Sequence, residues 1–223
     1  GNPVVAKVFT EEKYSKKEYM FYDILLEITI EDKLKETNHC IHFLGYCIHE
    51  ENNITKIYLL MEDLQCKDLY SYLQQDIYWD RLSYDEFNRT DSFTKLDHHE
   101  NYWDYNITNS HKLKIIKKLC EAVYELHSNN IVHCDLKCDN IIYNEKELKL
   151  IDYGASIDLG KEKFTSTDKG LGTTGYMSQE LADGLITYKG DVYSLGVCIL
   201  EIWFGDIWPN PDDNDYKRNR KHV

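Results

Sequence analysis

The sequence predicts an α+β fold in which a small antiparallel sheet with one helix precedes a larger, mainly helical region. Short apolar runs rich in β-branched residues, typical of strands, occur within residues 1–64, and longer runs with helical spacing follow. With 3 prolines and 11 glycines among 223 residues, the chain is not of low complexity. Two regions of different structure imply a cleft between them, where ligands usually bind.

Composition and charge limit the expected partners. The net charge of −13, from 26 basic and 39 acidic residues, weighs against nonspecific binding to nucleic acid because phosphates are repelled. The longest apolar run, Val192–Phe204, is too short to span a bilayer and contains Glu201, so we expect no membrane partner. Seven cysteines, an odd number, in a chain without a recognisable export signal indicate reduced thiols and a cytoplasmic location.

The first region contains three predicted strands, Val4–Phe9, His42–Cys47 and Thr55–Met61. One helix is predicted between the first two strands, from about Lys16 to Leu26, because apolar residues recur there three or four positions apart. Those residues are Tyr19, Tyr22, Leu25 and Leu26. The pattern therefore places these four side chains on the buried face of the helix.

The second region begins with a short predicted helix at Asp68–Leu73. Residues 76–109 are acidic, aromatic and aperiodic, which indicates an insertion loop; His98 and His99 in it could hold a metal, but a solvated loop is the favoured interpretation. A helix capped by Ser110 follows and ends at Ser128–Asn130.

Two further elements complete the expected helical region. Ile141–Tyr143 and Leu148–Ile151 flank a polar turn and predict a short hairpin. Asp191–Phe204 is apolar on nearly all sides and ends at Gly205, which predicts a helix in the middle of the region.

The segment from His133 to Asn140 reads His-Cys-Asp-Leu-Lys-Cys-Asp-Asn, and Asp152-Tyr153-Gly154 follows the predicted hairpin. Together they resemble the catalytic loop and metal-binding triplet of protein kinases. The resemblance implies that Asp135 is the catalytic base and that Asn140 and Asp152 hold Mg²⁺. It also implies that Lys137 approaches the transferred phosphate, as in kinases that modify serine or threonine.

Val4-Val5-Ala6-Lys7 resembles the kinase strand whose lysine contacts the α- and β-phosphates of ATP and pairs with a helical glutamate. Glu18 and Glu27 are both candidates for that partner. We prefer Glu18, because apolar residues follow it at i+3, i+4 and i+7, whereas charged Glu31 follows Glu27 at i+4.

The run Leu59–Leu64 resembles the last small-lobe strand entering the kinase hinge. By this resemblance Met61 is the gatekeeper, backbone groups of Glu62 and Leu64 hold adenine, and Asp68 contacts the ribose.

Gly172–Glu180 resembles the end of a kinase activation segment, with Ser-Gln-Glu in place of Ala-Pro-Glu. In the family the threonine corresponding to Thr173 bonds the catalytic aspartate, and the aspartate corresponding to Asp191 braces the catalytic-loop backbone. Cys134 stands where most members have the arginine that gathers a phosphorylated loop, so we expect regulation by loop phosphorylation to be less important.

Because the motifs occur in family order, we expect a two-lobed protein-kinase-like fold. Residues 1–64 form a partial N-lobe and hinge, and residues 65–223 form a partial C-lobe with the insertion at 76–109. The family's glycine-rich loop and its C-terminal helices are expected to be missing, which leaves apolar surface on the last helix.

The expected function is transfer of the ATP γ-phosphate to Ser or Thr of protein substrates with Mg²⁺. A pseudokinase, scaffold or inactive kinase fragment is the alternative. A small-molecule phosphotransferase of the antibiotic- or choline-kinase kind is less favoured, because the segment from Thr173 to Glu180 suits a peptide platform.

Overall fold

A computed structural model of the chain describes residues 3–52, 54–73 and 107–205. The strands are β1 (Val4–Thr10), β2 (Phe43–Glu51), β3 (Ile54–Glu62), β4 (Ile131–Val132), β5 (Ile141–Tyr143), β6 (Leu148–Leu150), β7 (Ile157–Asp158), β8 (Thr165–Ser166) and β9 (Leu185–Ile186). The α-helices are α1 (Lys17–Leu34), α2 (Asn109–Ser128), α3 (Gln179–Ala182) and α4 (Tyr188–Phe204). Residues 69–73 are also helical, and Glu11–Lys13 and Cys138–Asn140 form 3₁₀ turns.

The first three strands form one antiparallel sheet in the order β1-β3-β2. Its register places Lys7 opposite Leu59 and Leu59 opposite Tyr46. The β2–β3 turn includes Asn52 at a φ of 54°, a left-handed conformation that asparagine tolerates. All three predicted strands are confirmed, and β2 and β3 extend further into the turn than the sequence pattern indicated.

Helix α1 differs from its prediction in length and in the face that it buries. It continues to Leu34, and its buried residues are Met20, Ile24, Glu27, Ile30, Glu31 and Leu34. Tyr19, Tyr22 and Leu25 are exposed instead, so the predicted buried face is wrong. The helix carries two apolar stripes, and the second is buried because Met20 and Ile24 pack with Phe9, Ile57 and Leu59 of the sheet.

The main core lies between α2, the β5–β6 hairpin and α4. The hairpin prediction is confirmed by antiparallel pairing of Ile141 with Leu150. Helix α2 is capped by Thr108, whose hydroxyl accepts from the His111 amide, rather than by Ser110 as predicted. Core residues include Ile115, Leu119, Leu126, Ile141, Tyr143, Leu148, Leu150, Val197, Cys198 and Ile202.

Helix α4 begins at Tyr188, three residues before the predicted start, and Gly205 ends it as expected. One face is buried, but Val192, Tyr193, Leu200 and Phe204 are exposed in the described part of the chain. The prediction of a helix buried on all sides is therefore correct for only one face.

Residues 76–106 of the predicted insertion loop, with His98 and His99, lie outside the described residues. Within residues 3–52, 54–73 and 107–205, no helix combines the length and apolarity needed to cross a bilayer.

Candidate active site

A buried aspartate at the start of α4 holds the backbone of the loop after β4. Asp191 accepts from the backbone amides of His133 (2.7 Å) and Cys134 (3.0 Å), and its Oδ2 lies 2.8 Å from Nε2 of His127. Cys134 has a φ of 65°, a conformation uncommon for a residue with a side chain. The contacts from Asp191 stabilise this turn, which carries Asp135 next in the chain.

The carboxylate of Asp135 is oriented by two neighbours. Thr173 Oγ1 donates to Asp135 Oδ1 at 2.7 Å, and Asn140 Nδ2 donates to the Asp135 carbonyl at 2.8 Å and to Oδ2 at 3.2 Å. Lys137 Nζ donates to Thr173 Oγ1 at 2.9 Å and lies 3.5 Å from Asp135 Oδ2. These contacts include the expected hydrogen bond between Thr173 and Asp135. They bring together the predicted residues Asp135, Lys137, Asn140 and Thr173.

Gly172 allows Thr173 to approach the catalytic loop. Its φ is 102°, which side chains rarely adopt, and a Cβ at this position would lie 2.3 Å from the carbonyl oxygen of Cys134. A larger residue would therefore separate the segment containing Thr173 from Asp135.

On the opposite side, Lys7 of β1 is held by two carboxylates. Its Nζ donates to both Glu27 oxygens (2.7 and 2.8 Å) and to Asp152 Oδ1 (2.7 Å). The preference for Glu18 is wrong, because Glu18 is exposed at the start of α1. Glu27 lies on the helix face that packs on the sheet, and that face, rather than the apolar residues after Glu18, decides the partner.

The three charges shift each other's ionisation. Burial alone would lower the pKa of Lys7, but Glu27 and Asp152 outweigh it and raise that pKa. Burial likewise would raise the pKa of Asp152, but the Lys7 ammonium lowers it. Burial raises the pKa of Glu27, whose side chain is 2% exposed, and Lys7 offsets part of that rise. Lys7 and Asp152 therefore favour their charged forms at neutral pH.

The predicted metal ligands, Asn140 and Asp152, come from neighbouring backbone segments. The Ile151 amide donates to the Asn140 carbonyl at 3.0 Å, which brings residue 152 beside residue 140. Contacts to protein engage the amide nitrogen of Asn140 and Oδ1 of Asp152. The remaining side-chain oxygen of each is a hard donor, and Asp152 is 47% exposed, so this pair fits an ion such as Mg²⁺.

The end of β3, which was predicted to enter the hinge, is hydrogen-bonded to residues outside the predicted hinge. The Glu62 amide donates to the His42 carbonyl at 3.1 Å, and the Glu62 carboxylate accepts from His42 N and from Lys149 of β6. Met61 is half-buried against the main core. This link between the strand end and the hairpin was missed at the sequence level, because Lys149 is far away in the chain and lies in no motif.

Asp68 and Leu64 lie in the connection after β3. Asp68 accepts from the Ser71 amide (2.7 Å) and hydroxyl (2.8 Å), so it caps the helical residues 69–73. Its side chain is half-buried, as is that of Leu64. The predicted ribose contact would have to share the Asp68 carboxylate with this cap.

Comparisons with known proteins agree with this geometry. The family model described as a protein kinase domain matches residues 1–223. The chain is 31% identical over 169 residues to calcium-dependent protein kinase 4 of Plasmodium falciparum, covering 74% of this chain and 28% of that protein. It is 34% identical over 185 residues to the G-type lectin S-receptor-like serine/threonine-protein kinase SD1-13 of Arabidopsis thaliana, covering 80% and 19%.

A third relative is the putative serine/threonine-protein kinase R436 of Acanthamoeba polyphaga mimivirus, which is 35% identical over 151 residues, covering 65% of this chain and 49% of that protein. The chain thus spans less than half the length of each of these relatives. The family match along the whole chain, which agrees with the contacts around Asp135 and around Lys7, shows that this chain belongs to the protein kinase family.

Proposed function

We propose that the chain catalyses transfer of the ATP γ-phosphate to serine or threonine of protein substrates. Family membership implies use of ATP and a divalent metal ion, and we assign the metal as Mg²⁺. The observation that carries the proposal is the orientation of Asp135 by Thr173 and Asn140, with Asn140 next to the segment of Asp152.

Asp135 is suited to act on the acceptor hydroxyl. One oxygen accepts from Thr173, and the carboxylate is about a fifth exposed, so the substrate can reach it. The hydroxyl oxygen forms a bond to the γ-phosphorus while the bond to the bridging oxygen breaks, and ADP leaves. Asp135 orients the hydroxyl and accepts its proton.

Two cationic side chains support the proposed binding of the phosphates. Lys7 would contact the α- and β-phosphates while Glu27 holds its ammonium, and Lys137 would stabilise charge on the transferred group. When bound at Asn140 and Asp152, Mg²⁺ supplies further positive charge to the triphosphate. We assign adenine to backbone groups of Glu62 and Leu64, beside Met61, and the ribose to Asp68.

The lobe boundary, partner and location follow from the same proposal. We assign residues 1–64 to the N-lobe and hinge and residues 65–223 to the C-lobe. The acceptor is a protein, for which Thr173 to Glu180 forms the platform. All seven cysteines are free thiols, which supports a cytoplasmic location.

The test is a transfer assay with the full chain, ATP and Mg²⁺ on peptide libraries that present serine, threonine or tyrosine. We expect phosphate on serine or threonine, and a rate about 10³-fold lower in Asp135→Asn, which removes the base. Thermal unfolding of the variant provides the control for folding.

Each alternative has its own outcome. Nucleotide binding without transfer would support the pseudokinase alternative. Transfer to aminoglycosides or choline but to no peptide would support a small-molecule phosphotransferase. Either result would contradict the proposal, as would full activity of Asp135→Asn.

A further inference from the structure

A second buried acid on α1 has no role in the site described above. Glu31 lies one turn after Glu27 and is 1% exposed. Within the described part of the chain, neither Glu31 carboxylate oxygen has a hydrogen-bond partner. Glu27, by contrast, is equally buried but binds Lys7 through both oxygens.

An ionised carboxylate without partners is costly to bury, so such a group takes up a proton instead. Burial and the neighbouring charge of Glu27 raise the pKa of Glu31 to about 8. At neutral pH most Glu31 side chains are therefore protonated and uncharged, and most become ionised only when the pH exceeds about 8.

The charged and titratable groups around Glu31 come from three elements. On α1 the group is Glu27, on β1 it is Lys7, and on the loop after β6 they are Asp152 and Tyr153. Strand β2 also packs against α1, but its titratable side chains Tyr46, Cys47, His49 and Glu50 are exposed.

The location of Glu31 couples its charge to the Lys7 network. Lys7 Nζ is shared between Glu27 and Asp152, which are 2.7 Å away on different elements. A second negative charge one turn along α1 would repel Glu27 and attract Lys7. It would also need water, which the buried face of α1 does not provide in this arrangement.

We propose that Glu31 is a proton-dependent positioning residue: as a neutral acid it lets α1 seat Glu27 against Lys7, and as a carboxylate it loosens α1 and the Lys7–Asp152 contact. Its effect on nucleotide binding rests on the proposed function. Its effect on folding stability does not, so the two can fail separately.

The first experiment measures chemical unfolding of the full chain between pH 5 and 9.5 for the wild type and Glu31→Gln. The folded-state pKa lies above the unfolded value, so the folded state binds the extra proton and stability falls as pH rises from the unfolded pKa through about 8. Relative to Glu31→Gln, the wild-type unfolding constant should rise by up to about tenfold per pH unit in this window.

Two variants serve as controls. Glu18→Gln changes an exposed acid on the same helix and should follow the wild-type pH dependence. Glu31→Met supplies a neutral, apolar side chain of similar length, and it replaces Glu31→Gln as the reference if the amide prevents folding. Parallel pH profiles for the wild type and the neutral variant would overturn the proposal.

The second experiment measures binding of a fluorescent ATP analogue with Mg²⁺ at pH 6.5 and 9. We expect wild-type affinity to fall at least about fivefold more than that of the neutral variant, because ionised Glu31 competes for Lys7. Equal losses in both proteins would refute the positioning role. If neither protein binds the analogue, the proposed function fails and the unfolding experiment alone decides on Glu31.

Discussion

Around Asp135 the buried carboxylate of Asp191 holds the backbone of the loop, and Thr173 and Asn140 orient the Asp135 side chain. Around Lys7, by contrast, charged side chains from three separate elements hold one another. Asp191, which anchors the first side, is fully buried in α4. Lys7 and Asp152, on the second side, are 32% and 47% exposed. The first side is therefore rigid, and the second can change with the position of α1.

This difference suits the chemistry proposed for each side. A base must be held within hydrogen-bond reach of the acceptor hydroxyl, and Asp135 has fixed neighbours for that purpose. In the proposed function Lys7 would exchange the Asp152 carboxylate for phosphate oxygens when a nucleotide binds, while Glu27 holds its ammonium. A half-exposed ion pair allows that exchange at less cost than a buried one.

The largest expected effect is on the rigid side. Asp191→Ala leaves the amides of His133 and Cys134 and the ring of His127 without their acceptor, so the free energy of unfolding should fall by about 3–5 kcal/mol. Urea denaturation of the wild type and the variant measures this loss of unfolding free energy. Ser194→Ala, which removes a buried hydroxyl from the same helix, should cost only about 1 kcal/mol. Equal costs would show that Asp191 has no special anchoring role.

The next effect comes from the approach of the activation segment to the same loop. Gly172→Ala forces a Cβ against the Cys134 carbonyl at a positive φ, so stability should fall by at least about 2 kcal/mol. Gly196→Ala is the matched control, because its Cβ would meet nothing within 4 Å on an exposed face of α4. That control should gain about 0.5–1 kcal/mol. Thermal unfolding that ranks the two variants the other way round would contradict this account.

On the second side, around Lys7, a substitution should change activity rather than stability. Glu27→Gln keeps the shape of the side chain but removes the charge that holds Lys7, so kcat/KM for phosphoryl transfer should fall about 30-fold, or ~2 kcal/mol. Glu18→Gln, on the exposed start of the same helix, should leave kcat/KM unchanged. A larger loss in Glu18→Gln would restore the partner that the sequence favoured.

The smallest effect is expected at an exposed contact between α1 and β7. Lys33 Nζ lies 2.7 Å from Asp158 Oδ2, with both side chains about a third exposed, so Asp158→Asn should cost less than about 1 kcal/mol. Asparagine retains an acceptor for the Gly160 amide. The loss should shrink in 1 M salt, and a salt-independent loss would point to packing instead.

The same contact has a pH dependence of known sign. Burial would raise the pKa of Asp158, but Lys33 and the Gly160 amide outweigh it and lower that pKa. The contribution to stability is therefore present above the unfolded pKa and is lost as pH falls through the folded value. Asp32→Asn, which breaks a more exposed pair with Lys35, is the control and should change little at any pH.

Site residues within short motifs were predictable because those motifs resemble the motifs of protein kinases, and the contacts within each motif are local. Asp135 and Asn140 lie five positions apart, and one 3₁₀ turn brings the Asn140 amide back to the Asp135 carbonyl. The partner of Lys7 was not predictable in this way. An 18-residue helix with two apolar stripes offers Glu18 to one side and Glu27 to the other, and only contact with the sheet selects between them.

The sequence by itself determined the three strands of the first sheet, the β5–β6 hairpin and the positions of the long helices, because periodicity and turn chemistry act over a few residues. Its motifs, through their resemblance to those of protein kinases, also determined the kinase-like fold. Only the tertiary structure decided which face of α1 is buried, that Lys149 reaches Glu62, that His127 joins Asp191, and that Glu31 is enclosed without a partner. Burial and charge pairing are properties of surfaces that meet from distant parts of the chain, and no local pattern specifies which surfaces those are.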